Sequence, residues 1–235
     1  MGDERPLVVF DGDDTLWFVE HLYDRARSAA ADLVARFGLD PVAWEQLQRA
    51  IDVRNVEVMG LQATRFPTSC ARAYIDAACS AGVQPTAARA AEVWACASQV
   101  FDWDAQPADG VRDVLEELSR SFRLALLTKG DGWVQRRRVA DSGLGGYFCA
   151  VEIVDDKSSE TFRAVVAGCG AELALSWSVG NSLASDINPA LECGMRAVWV
   201  DAHVWEHERR ETTAPAGRAF LRAEALRDVP GLLLD

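Results

Sequence analysis

Leu7-Val8-Val9-Phe10 is an apolar run that stops abruptly at Asp11-Gly12-Asp13-Asp14-Thr15. Four apolar residues running into a polar, glycine-containing loop predict a strand buried on both faces of a parallel sheet. The texture then changes. From residue 20 to about residue 100, Ala, Arg, Leu and Glu dominate and apolar residues recur at helical spacing, as in Leu33, Val34 and Phe37, and again in Tyr74, Ala77 and Ala78. Breaks at Gly38-Leu39-Asp40-Pro41, near Gly60, at Arg65-Phe66-Pro67-Thr68 and over 82–85 divide this stretch into four or so helices, with no β-rich segment.

After Pro107 short apolar runs return in alternation with helical patterns. Helices are expected over 111–120, 134–142, 160–169 and 187–193, and strands over 123–128, 149–154, 177–180 and 197–200, the last being read as the final core strand. Strands alternating with helices of about 10–15 residues build βαβ units. The expected fold class is therefore α/β, a doubly wound parallel sheet with an inserted helical domain. Residues 1–18 and 104–235 form the α/β core and 19–103 the insertion, which leaves directly after the first strand's loop. There are no internal repeats and no low-complexity tract.

Composition sets limits on what such a chain does. Of its 235 residues 49% are apolar, enough for a sizeable core and against wholesale disorder. The 24 Lys and Arg against 36 Asp and Glu give a net charge of −12, which argues against nucleic acid as a partner but leaves room for a small anionic substrate. No run approaches the roughly 18 apolar residues of a membrane span, Leu7–Phe10 is too short for a signal peptide, and Pro6 stands where myristoylation wants Ser or Thr, so no membrane association is expected. The six cysteines, Cys70, Cys79, Cys96, Cys149, Cys169 and Cys193, contain no C-x-x-C pair. They are read as small buried hydrophobes in a cytoplasmic protein rather than as a disulfide or zinc framework.

Open parallel sheets bind ligands at the carboxyl ends of their strands. Asp11 and Asp13 follow the first strand, Thr128, Lys129 and Gly130 the second, Lys157 the third, and Gly180-Asn181-Ser182 with Asp186 the fourth. Carboxylates meeting other oxygen donors suit Mg²⁺, and a lysine with a threonine hydroxyl suits a phosphoryl group.

These residues carry a resemblance. Val9-Phe10-Asp11-Gly12-Asp13-Asp14-Thr15-Leu16 resembles the first motif of the haloacid dehalogenase-like hydrolases. Thr128 is similar to the second motif, Lys157 in Asp155-Asp156-Lys157 to the third, and Gly180-Asn-Ser-Leu-Ala-Ser-Asp186 to the fourth. Each motif alone is weak, but four in order on expected strand ends are specific, and the likeness covers essentially the whole chain. The resemblance implies a Rossmann-like core and makes the insertion a helical cap that closes over the site. It further implies a phosphatase acting on a small phosphorylated metabolite, with Asp11 as nucleophile and Asp13 as general acid and base. Mg²⁺ would be held by Asp11, the Asp13 carbonyl, Asp186 and Asn181, and Thr128, Lys129 and Lys157 would hold the phosphoryl group. Asn181 departs from the family, which commonly has an acid there, and so removes one charge from the metal site. Asp13 favours phosphoryl transfer over dehalogenation, which attacks carbon and needs no acid at that position. A phosphosugar mutase and a catalytically inactive binding protein stand as alternatives. The oligomeric state is not legible.

Other patterns have plainer readings. His203-Val-Trp-Glu206-His207 matches a zinc-peptidase pattern but lies in a short polar segment, and is read as surface. Gly180-Asn-Ser182-Leu-Ala184 nearly mimics a nucleophile elbow, without the closing glycine. Arg136, Arg137 and Arg138 are consecutive, spread around their helix, and are read as solvated. Asp14 is read as a solvated turn carboxylate, and Trp177 and Trp199 as core. Trp17 and Phe18, at the junction with the insertion, are open to two readings, leaving-group contact or hinge packing. His21, Arg54 and Arg65 are open to two as well, substrate recognition or surface. No G-x-G-x-x-G follows a strand and no Walker motif is present, so nucleotide cofactors have no support.

Overall fold

Leu7–Phe10 forms the central strand, β1, and every residue in it is buried. In chain order the further elements are β2 (Trp17–Phe18), α1 (Glu20–Arg36), α2 (Pro41–Met59), α3 (Arg65–Ser80), α4 (Ala87–Ser98), β3 (Gln106–Pro107), α5 (Val111–Ser119), β4 (Arg123–Lys129), α6 (Gly132–Ser142), β5 (Ala150–Val154), α7 (Ser159–Gly168), β6 (Trp177–Gly180), α8 (Asn188–Glu192), β7 (Arg196–Val200), β8 (Phe220–Ala223) and α9 (Val229–Leu234). They come from a computed structural model that describes residues 4–202 and 219–234. No described helix is long and apolar enough to cross a membrane.

Six parallel strands form one sheet in the order β5-β4-β1-β6-β7-β8. The chain runs outward from β1 through β4 to β5, then returns to the other side of β1 and runs outward again. β1 therefore lies at the switch point, where the loops after β1, β4 and β6 converge. Phe10 pairs with Leu126 on one side and Val179 on the other, which brings the ends of three strands level.

Alternate residues of β1 face opposite layers. Val8 and Phe10 pack with Leu115 and Leu118 of α5 and Val229 of α9. Leu7 and Val9 pack with Phe162, Val165 and Val166 of α7 and Ala190 of α8. Burying each of these large side chains contributes about 1.5–3 kcal/mol before entropy is subtracted. That two-faced burial explains why β1 is a continuous apolar run rather than an alternating one.

The chain separates into two units, Met1–Val19 with Ala105–Asp235, and Glu20–Asp104. The second is built from α1 to α4 around Trp44, Phe66 and Tyr74, all fully enclosed. Its caps follow the sequence signals. Asp40 accepts from the amides of Val42 and Ala43 with Pro41 at the first helical position, and the Thr86 hydroxyl accepts from Arg89.

Several expectations need correction. The strand over 197–200 is not the last, because β8 pairs with β7 at the sheet edge. A two-residue antiparallel ribbon, β2 with β3, ties the chain where it leaves the first unit to where it returns. Two residues carry too little periodicity to be read from sequence. Only Cys70 and Cys193 are buried, while Cys79 and Cys149 are exposed. The Cys149 and Cys169 sulfurs lie 4.0 Å apart as free thiols. Arg65 is buried and pairs with Asp52, so it braces the helical unit and is not a solvent-facing reader of substrate. His21 and Arg54 are exposed. The His203–His207 pattern lies outside the described residues.

Candidate active site

The loop after β1 is held by its own backbone. The Asp11 amide donates to Val179, extending the ladder one residue past the strand, and the Gly12 carbonyl accepts from the Leu16 amide at 2.8 Å. Asp14 adopts a left-handed φ of 59°, which aspartate tolerates better than most residues. Its carboxylate is buried and accepts from the Val19 amide, so it is a loop brace and not the solvated carboxylate expected. A side chain on Gly12 would lie 2.6 Å from the Trp17 ring and 3.2 Å from the Thr128 hydroxyl, so the close approach of this loop to β4 needs glycine.

Asp11, Lys157 and Asp186 meet at the ends of three strands. Lys157 Nζ donates to Asp11 Oδ1 at 2.5 Å and to Asp186 Oδ1 at 2.7 Å, and all three side chains are buried. The Ser182 amide donates to the other Asp186 oxygen at 2.9 Å. Gly180 permits this, since a Cβ there would stand 2.4 Å from the Asp186 carboxyl carbon. Thr15 Oγ1 lies 3.0 Å from Asp11 Oδ2 and 3.3 Å from Asn181 Oδ1, linking the first and fourth motifs. The Asn181 carbonyl accepts from the indole of half-buried Trp199. Trp177 is buried, as expected.

One ammonium between two buried carboxylates leaves an excess negative charge. Burial pushes the Asp11 carboxyl up to about 7, Asp186 acts in the same direction, and Lys157 pulls against both. Burial disfavours the Lys157 ammonium, but Asp11 and Asp186 outweigh it and hold the lysine above its ordinary value.

That imbalance bears on whether a divalent cation fits. Among the described residues no group of three or more His, Cys, Asp or Glu is placed to hold a metal. The nearby donors are instead two carboxylates and the Asn181 amide oxygen. A small set of hard oxygens with surplus negative charge fits Mg²⁺, which keeps several of its waters.

Thr128 is wholly enclosed at the end of β4, and its hydroxyl has no hydrogen-bond partner. An unpartnered buried hydroxyl is costly, and one at the sheet's switch point fits an anion's oxygen. Lys129 follows Thr128 as the last residue of β4. Its ammonium donates to the Ser185 hydroxyl at 2.8 Å.

Asp13, two residues from Asp11, belongs to a different set. Trp17 Nε1 donates to Asp13 Oδ1 at 2.7 Å, Gln135 Nε2 to Oδ2 at 2.8 Å, and Arg138 pairs with Oδ2. Trp17 is fully buried in the core cluster and its N–H is engaged by Asp13, so the reading of Trp17 as a substrate contact gives way to packing. Phe18 is 44% exposed. Gln135 and Arg138 are not among the residues that the motifs single out. The run Arg136 to Arg138 is not uniformly solvated as expected: Arg138 is buried, while Arg136 is exposed and Arg137 pairs with Asp141. The signal was present, because Gln135 and Arg138 are three apart and share a helix face. Ser182 is no nucleophile elbow, since its hydroxyl accepts from the Ser185 amide and caps the turn Leu183–Ile187.

A family model described as haloacid dehalogenase-like hydrolase matches residues 6–194. The chain belongs to the haloacid dehalogenase-like hydrolases. Within that family it is similar to N-acylneuraminate-9-phosphatase of Mus musculus, at 32% identity over 100 residues. That match spans 40% of this chain and 40% of the relative's length. Among solved structures, a haloacid dehalogenase-like family hydrolase from Xanthomonas campestris matches with a TM-score of 0.81 at 22% identity, covering 99% of this chain and 96% of the other. L-2-haloacid dehalogenase from Xanthobacter autotrophicus matches with a TM-score of 0.62 at 20% identity, covering 98% of each chain. At such identities the structural matches speak to the fold alone, and all span both units of this hydrolase.

Proposed function

We propose that this hydrolase cleaves a small-molecule phosphate monoester through an aspartyl-phosphate on Asp11. The observation that carries the reading is the sorting of two loop carboxylates into separate environments. Asp11 is buried against Lys157, and Asp13 is held apart by Trp17, Gln135 and Arg138. One carboxylate as nucleophile and a second as proton carrier is what phosphoryl transfer from a poor leaving group requires, whereas displacement of halide from carbon needs only the first.

In this reading an Asp11 oxygen attacks phosphorus in line, and the P–O bond to the leaving group breaks. Asp13 gives its proton to the departing oxygen and, in the second step, takes one from the attacking water. Lys157 keeps Asp11 oriented and offsets the phosphoryl charge, while the Thr128 hydroxyl donates to a phosphoryl oxygen. Asp11, Asp186, Asn181 and the Asp13 carbonyl would hold Mg²⁺, which when bound screens the approach of one anion to another. Glu20–Asp104 is assigned the part of the cap and, with it, choice of the leaving group.

The name of the murine relative adds support for phosphate ester chemistry and places N-acylneuraminate 9-phosphate among the compounds to try. The test is a panel of phosphate monoesters, from p-nitrophenyl phosphate to sugar phosphates, assayed with Mg²⁺ alongside Asp11→Asn. Phosphate release that the variant abolishes is expected. Halide release from 2-chloropropionate with no phosphate release from any ester would overturn the proposal. Turnover that depends on an added sugar bisphosphate would replace it with a mutase.

A further inference from the structure

The first-motif loop carries two acids, and the fold gives each its own partners. Lys157 is engaged by Asp11 and Asp186. Asp13 instead meets α6, the helix that follows Thr128. Asp131 caps α6 by accepting from the Trp133 and Val134 amides, and this fixes which face of the helix turns toward the loop. On that face Gln135 and Arg138 are both buried. Gln135 Nε2 bridges two strands' loops, reaching Asp13 Oδ2 at 2.8 Å and the Lys129 carbonyl at 3.2 Å. Gly130 makes room for it, since a Cβ there would come within 3.1 Å of that nitrogen. Arg138 pairs with the same Asp13 oxygen, and the Trp17 indole holds the other.

We propose that Gln135 and Arg138 are positioning residues that fix the Asp13 carboxylate for proton delivery to the leaving group. The inference rests on the reading of Asp13 as general acid. Its physical basis is that an aspartate on a loop has several rotamers, of which few place its proton on the departing oxygen. Oδ2 accepts from both Gln135 and Arg138 and Oδ1 from Trp17 alone, so the group holds a single orientation with a lone pair of Oδ1 left to carry the proton, and its placement is set before substrate arrives. Neither residue touches the reacting atoms. Their action on the reaction is through Asp13.

This role predicts a dependence on leaving group that a purely structural role does not. An alkoxide needs a proton to depart, and p-nitrophenolate does not. In the full chain, Arg138→Met and Gln135→Leu should each lower kcat/KM for β-glycerophosphate by on the order of 10–100-fold, a large part of what a positioned acid contributes. The loss for p-nitrophenyl phosphate should be no more than about threefold, because that ester makes little use of the acid. Arg138→Lys, which keeps the charge, should recover part of the loss. The ratio of the two losses is the readout, and Gln135→Leu carries the test if Arg138→Met fails to fold. Equal losses on both esters, or none, overturn the proposal. Asp13→Asn, measured alongside, separates the two levels. If it discriminates between the esters while the α6 variants do not, only the positioning role falls. If Asp13→Asn itself shows no discrimination, or the unmodified protein hydrolyses neither ester, the parent reading falls and takes this one with it.

Discussion

Lys157 Nζ stands 2.5 Å from Asp11 Oδ1, both groups are buried, and the same ammonium reaches Asp186. The lysine is the shared counter-ion of two carboxylates that follow neighbouring strands, Asp11 after β1 and Asp186 in the turn after β6. Lys157→Met keeps the length and removes the charge. It should destabilise the protein at neutral pH by about 3–5 kcal/mol, the cost of stranding buried charge, and abolish turnover. Denaturant unfolding at pH 7 checks the first part. A loss under 1 kcal/mol would show that the carboxylates do not need the lysine.

Asp11 gives a pH dependence whose sign is fixed. Its pKa is about 7 in the folded protein, above the value of roughly 3.9 expected for an unfolded chain. The folded state therefore binds the proton more tightly, and Asp11's contribution to stability falls as pH rises from about 4 to about 7. Asp11→Asn removes that loss. In the presence of a chelator, the variant should gain on the native protein between pH 4.5 and pH 8. Urea titrations at the two pH values measure the difference, and a gap that does not widen would contradict the assignment.

Thr128→Val is nearly isosteric and separates stability from activity. Its buried hydroxyl has no partner, so replacing it with a methyl group should leave the melting temperature unchanged or raise stability by about 1 kcal/mol. If the hydroxyl holds a phosphoryl oxygen, kcat/KM should still fall by about 10-fold or more. Full activity in a stable variant would remove Thr128 from the site.

Asn181→Asp restores an acid where the family commonly has one. Its Oδ1 already accepts from Thr15, so the substitution keeps the contact and adds a charge. The Mg²⁺ concentration for half-maximal activity should drop severalfold, and calorimetric titration with Mg²⁺ should show the same change. Unaltered Mg²⁺ binding would mean that Asn181 does not face the metal.

The sequence made the central strand legible because burial on both faces leaves an unmistakable apolar run. The helices followed from spacing and caps such as Asp40-Pro41. Residues of the four motifs, Asp11, Thr128, Lys157, Asn181 and Asp186, sit at strand ends, where topology alone says chemistry gathers. β8 was not legible, because an edge strand of four residues, only one of them buried, has no strong pattern. The burial of Arg138 is hidden in the sequence for a different reason. A run of three arginines looks like a solvated surface, and only the helix phase set by Asp131 says which of the three turns inward. Asp14 shows the same limit, since its enclosure depends on a backbone turn that no spacing rule encodes.

β1 pairs with β4 and β6, and Val8 finds Trp177 far downstream of it in the sequence. The helices of Glu20–Asp104, by contrast, have their partners close by in sequence. As the chain leaves the ribosome, the helical unit can close its contacts while an apolar strand waits upstream with both edges open. Such a strand is an aggregation hazard during synthesis, and its exposure ends only when β6 arrives. The placement of Asp11 at the end of the central strand thus ties the completion of its surroundings to a late pairing of the sheet. The loop after β1 is complete only when β6, far downstream in the sequence, has joined it.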